Sequence, residues 1–104
     1  MKYQVVIQFP LAGASAEDFD RLLMIENELG LVLMGMHQVD GHDMGPDEMN
    51  IFIHTNDPDE AFELVKNTLP ENYLETILAA CRDMKSDKYS MIWPENYNDE
   101  FTIK

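Results

Sequence analysis

The stretch Asp40-Gly41-His42-Asp43-Met44-Gly45-Pro46-Asp47-Glu48 places four carboxylates and an imidazole within nine residues, and its side chains are the ones best supplied for chemistry. The glycines at 41 and 45 admit backbone conformations closed to other residues, and Pro46 restrains the segment. Carboxylates this close repel one another even through screening solvent. A tolerated repulsion points to a use, and three chemistries fit. A carboxylate-rich surface draws in a basic protein and can imitate the phosphates that a basic active site expects. On that reading the binding residues are Asp40, Gly41, His42, Asp43, Asp47, Glu48 and Asn50, joined by Asp57, Asp59 and Glu60. Oxygen and imidazole donors also suit zinc, manganese or iron, with Asp40, His42, Asp43 and Glu48 as candidate ligands and His54 as an outlying one. Finally, His42 with Asp43, or His37 with Asp40, can supply acid–base chemistry, because a carboxylate orients and charge-stabilises an imidazole. The plain alternative is a solvated turn whose Asp and Gly residues serve turn chemistry alone.

The spacing weighs against the second and third chemistries. Read as a calcium loop from Asp40, the segment has Gly45 in sixth place but puts His42 third, Met44 fifth and Ile51 last, where oxygen ligands are required. The run GASAE at 13–17 is not a nucleophile elbow, and neither a Gly-rich phosphate loop nor a dinucleotide fingerprint is present. Cys81 lies in an apolar run and reads as a small core residue. The expectation is therefore a protein-binding module, immunity- or inhibitor-like, acting through an acidic loop at 40–48 and needing no cofactor. The alternative is a metal-binding protein or small-molecule enzyme that uses the Asp40, His42, Asp43 and Glu48 cluster.

Composition sharpens the choice of partner. The chain has 104 residues and a formal net charge of −13, which fits one small α+β domain. Residues 1–65 hold thirteen acids against two bases, and no Lys or Arg lies between Arg21 and Lys66. Neutralising phosphates or anionic lipid needs clustered Lys and Arg, so nucleic acid and membrane surfaces are excluded as partners. A single cysteine forbids an intrachain disulfide and asks for no oxidising compartment, and the apolar run Val5-Val6-Ile7 is too short for a secretion signal. A cytoplasmic protein is expected.

The elements that must position these residues are legible in part. Residues 2–9 read as a first strand, followed by a loop, LAGAS. Ser15 caps a helix through Phe19, Leu22, Leu23, Ile25 and Leu29, with Gly30 as its stop. Strands follow at 31–39 and 48–55, the latter turning Met49, Ile51 and Ile53 to one face and Asn50, Phe52 and His54 to the other. Asp57, Pro58 and Glu60 open a second helix that ends at Pro70. Residues 73–84 fit both periods; a strand is favoured because YSMIW at 89–93 makes a partner for it across the KSDK turn. The order predicts a ferredoxin-like βαββαβ sandwich with an additional C-terminal strand and a peripheral tail at 97–104, docked through Phe101 and Ile103. Met34 and Met36 are expected to fill core, Trp93 to cover a strand end, and Phe52 with His54 to offer a homodimer interface on the uncovered sheet face.

The stretch VDGHDMGPDEMNIFIHTNDPDEAFE at 39–63, with YSMIWP at 89–94, resembles a group of small bacterial proteins of uncharacterised function that share a VDGHD…EMNIFI-like signature. The resemblance implies an α+β domain and a strand rather than a helix at 74–84. It implies no activity.

Overall fold

Val5, Val6 and Ile7 are all fully buried, and a strand with apolar side chains covered on both faces belongs in the middle of a sheet. In the computed structural model, which describes residues 1–11, 13 and 15–103, strand β1 (Tyr3–Pro10) is that central strand. Around it are α1 (Ala16–Leu33), β2 (His37–Met44), β3 (Glu48–Thr55), α2 (Pro58–Thr68), α3 (Glu71–Leu74), β4 (Leu78–Asp83) and β5 (Ser90–Trp93). The α+β sheet has five strands in the order β2-β3-β1-β4-β5, and every neighbouring pair is antiparallel. β5 extends the sheet beyond β4, so the order differs from that of a plain four-stranded βαββαβ sheet.

One face carries the main core. Leu22, Ile25, Leu29 and Leu33 of α1 and Ala61, Phe62 and Val65 of α2 pack on Val5, Ile7, Phe9, Met49, Ile51 and Ile53. Full burial of each large side chain contributes roughly 1.5–3 kcal/mol, which makes this layer the main source of stability. The opposite face carries a smaller cluster of Val6, Ala80 and Phe101, flanked by Phe52, Leu78, Tyr89, Met91 and Ile103. Phe101 and Ile103 thus dock the C-terminal segment over the β1–β4 half of the sheet. Among the described residues no helix is long and apolar enough to cross a membrane.

The helix starts follow their local chemistry. The Ser15 side chain accepts from Asp18 N–H and the Asp18 carboxylate accepts from Ser15 N–H, completing a capping box on α1. Asp57 caps α2 by accepting from Glu60 N–H, with Pro58 in the first turn. The LAGAS loop lies partly outside the described residues.

Three boundaries differ from expectation. α1 does not stop at Gly30 but runs on to Leu33. Burying Leu33 one turn after Leu29 outweighs the cost of about 1 kcal/mol for a mid-helix glycine. The chain reverses instead at Gly35, whose φ of 98° is open mainly to glycine. β2 consequently begins at His37 rather than 31, and Met34 and Met36 lie in and after the helix cap, exposed rather than in the core. In the segment 73–84, residues 71–74 form the short helix α3 and the strand begins only at Leu78. Trp93 covers that junction, packing on the main core and donating its indole N–H to the Leu74 carbonyl at 2.9 Å.

Candidate functional site

The acidic segment is a hairpin, not a nine-residue loop. Residues 40–44 belong to β2 and Glu48 opens β3, leaving 45–47 as the turn, closed by Gly45 N–H to the Glu48 carbonyl at 2.8 Å. The Asp47 carbonyl accepts from Leu11 N–H at 2.7 Å, which fastens the turn to the end of β1. Strand periodicity then divides the candidate residues between two faces, because alternate side chains leave a sheet in opposite directions. A bulge between Val39 and Gly41 inserts Asp40 into β2, and Gly41 takes a φ of 127° there.

His42 lies opposite Ile51, on the helix side, where its Nδ1 meets the Glu26 carboxylate of α1 at 3.0 Å and its ring edge lies against Phe19. Asp43 lies opposite Asn50 and is exposed. Asp40 reaches His54 across the hairpin, with Oδ2 3.5 Å from Nε2. Asp47 is exposed at the turn. Asp40, His42, Asp43 and Glu48 are therefore not brought together, and among the described residues no three His, Cys, Asp or Glu side chains are grouped to hold a metal ion.

Glu48 and Asn50 are buried, with 5% and 1% of their surface exposed. They meet Gln8 of β1, itself 6% exposed, whose amide nitrogen lies 3.0 Å from Glu48 Oε2, from Asn50 Oδ1 and from the Thr102 carbonyl. The amide has two hydrogens for three acceptors, so one is shared. Asn50 Nδ2 donates to the same Glu48 oxygen at 2.9 Å. This network fixes the C-terminal segment across β1 and β3. Gln8, Glu48 and Thr102 of the network line a polar cleft of about 230 Å³, together with Pro10, Asp47, Leu78, Tyr97 and Glu100.

Neither histidine keeps the carboxylate partner that sequence proximity offered. His37, with its side chain 2% exposed, has Nδ1 2.6 Å from Thr55 Oγ1 and Nε2 3.0 Å from Glu60 Oε1. An ionised carboxylate can only accept, so Nε2 carries the proton, and Thr55 Oγ1 in turn accepts from Asp57 N–H at 2.9 Å. Glu60 thus serves His37 instead of closing a capping box on Asp57. The Thr-His-Glu order has the form of a proton relay, but its Thr55 is fully buried. Its work is to tie β2, β3 and α2 together.

Sequence reasoning missed Gln8, Glu26, Thr55 and Glu60 as partners of the candidate residues. Gln8 alone left a signal, a polar side chain set between Ile7 and Phe9 in an apolar strand. Cys81 is half-buried; burial pushes its thiol above the ordinary range, and the Asp59 carboxylate adds to the effect. Comparison of the chain with protein-family models, with curated proteins and with solved structures finds no match.

Proposed function

We propose that the chain is a small cytoplasmic binding module, immunity- or inhibitor-like, that presents the outer face and turn of the β2–β3 hairpin to a basic protein. One observation carries the reading. Asp40, Asp43 and Asp47 stand exposed on a hairpin that is otherwise hydrogen-bonded, and among the described residues no Lys or Arg lies within ion-pair distance of them. Local carboxylates left without cations raise the negative potential of that edge, which steers a basic partner in and selects against acidic ones. Glu48 and Asn50 hold the hairpin to β1 rather than meeting the partner, and Gly41 allows the bulge that carries Asp40. Nucleic acid and anionic membranes are disfavoured as partners by the same field.

The fold is read with this as a ferredoxin-like unit extended by one strand. The order of the first four strands, β2-β3-β1-β4, and their uniform antiparallel pairing support it.

The test is affinity capture from host extract on immobilised protein. A Lys- and Arg-rich protein retained at low salt and released at high salt supports the reading. Retention that salt does not weaken, or no retained basic protein, contradicts it.

A further inference from the structure

Seven large apolar side chains are exposed among the described residues, and five of them stand between positions 24 and 36. Met24 (72%), Leu31 (71%), Met34 (68%) and Met36 (64%) are mostly exposed, a concentration that a small acidic protein does not need for solubility. Leu31 follows Met24 by two helical turns, and Met34 lies one turn beyond Gly30 and Leu31, so the patch continues along α1 into its C-terminal cap. Beside it a shallow groove of about 380 Å³ lies along the packed junction of α1 and β2, lined by Glu26, Asn27, Gly30, Val39, Asp40 and Gly41. A methyl group added at Gly30 or Gly41 would meet no atom within 4 Å, so both walls of the groove are open at their glycines.

The chemistry of the surroundings narrows the occupant. The span from 22 to 65 contains no Lys or Arg, and Glu28 beside the patch and Asp40 on the groove wall are exposed. A second copy of the chain would bring another −13 to this surface, so self-association works against its own charge. An added β-strand is opposed as well, because the bulge at Val39/Gly41 and the outward Asp40 and Asp43 interrupt the edge of β2. Apolar side chains at helical intervals beside a groove instead match a second helix laid ridge into groove on α1. Methionine suits such a surface, because its unbranched, polarizable side chain adapts to varied partners.

We propose that the groove between α1 and β2, together with the methionine-rich end of α1, takes a basic amphipathic helix of the partner. Its apolar face lies on Leu31, Met34 and Met36, and its Lys and Arg side chains reach Glu28 and Asp40. This rests on the reading of the hairpin as the seat of a basic protein and adds the segment's form and its apolar anchor.

The experiment selects binders from a phage-displayed library of peptides long enough for four helical turns, about 15 residues. Synthetic copies of the selected peptides are then titrated by calorimetry into three proteins: the parent, Leu31→Ser with Met34→Ser, and Asp40→Asn with Asp43→Asn and Asp47→Asn. The serine pair removes apolar surface that is already exposed and leaves both fold and net charge unchanged. Selected peptides with net positive charge and apolar residues at i, i+3/i+4 spacing, weakened about tenfold or more by both variants, support the proposal. Basic peptides weakened only by the amide variant overturn the helix-groove inference and leave the hairpin reading standing. Peptides without net positive charge, or insensitive to both variants, or no selected peptides, overturn the inference and count against the hairpin reading too.

Discussion

Replacing Gln8 by Ala removes the donor that joins Glu48, Asn50 and the Thr102 carbonyl, and the expected loss can be worked from the geometry. The amide offers two hydrogens to three acceptors at 3.0 Å, so it supplies at most two full hydrogen bonds. The bond to the Glu48 carboxylate is worth about 1.5–3 kcal/mol and the neutral one about 0.5–1.5 kcal/mol. The expected destabilisation is therefore about 2–4 kcal/mol, a large share of the 5–15 kcal/mol typical of a small domain. At roughly 4–8 °C per kcal/mol the melting temperature falls by at least about 8 °C. Gln8→Glu sharpens the test, since it sets a second carboxylate against Glu48. Its deficit is greatest at neutral pH and shrinks on acidification, as one of the two takes a proton and donates to the other. Urea unfolding followed by far-UV circular dichroism and Trp93 fluorescence reads both variants. A Gln8→Ala protein within 0.5 kcal/mol of the parent would refute the claim that the network holds the C-terminal segment and hairpin to β1.

Other consequences follow from the same packing. Thr55→Val keeps shape and strand propensity but strips the partner from His37 Nδ1 and from Asp57 N–H, so stability drops by about 1–3 kcal/mol in chemical denaturation; an unchanged midpoint would contradict the tie between β2, β3 and α2. Phe101→Ala empties the centre of the outer-face cluster and costs about 3 kcal/mol, with faster hydrogen exchange at the amides of 97–103; a loss under 1 kcal/mol would mean the segment is not docked. Cys81, its thiol held above the ordinary range by burial and by Asp59, alkylates more slowly than a free thiol at pH 8 and speeds up in urea. Because the unfolded chain gives up that proton first, stability declines as pH rises through the ordinary thiol value of about 8.5. Equal alkylation rates in native and unfolded protein would contradict both.

What the sequence made legible was local. Strand β3, both helix N-caps, the apolar stripes of α1 and α2, and the docking of Phe101 and Ile103 all depend on signals within a few residues of the element concerned. The misread boundaries came from burial overriding local punctuation. Gly30 looked like a helix stop, but Leu33 had core to reach, and the three extra residues moved β2 forward into the acidic segment. That shift redistributed the site, because a loop can gather Asp40, His42 and Asp43 whereas a strand sends His42 to one face and Asp43 to the other. The pairings of His42 with Glu26 and His37 with Glu60 join elements 16 and 23 residues apart. Only the packed fold brings those positions together, so no spacing in the sequence announces them.

On the proposed function, Asp40, Asp43 and Asp47 serve binding and not folding. The direct measurement is the affinity for the captured basic protein, across a salt series, of the Asp40→Asn, Asp43→Asn, Asp47→Asn variant beside its unfolding free energy. The expected variant is as stable as the parent, or slightly more so with the mutual repulsion removed, while its binding is lost and its salt dependence flattened. A variant that binds like the parent, or that unfolds, would contradict it.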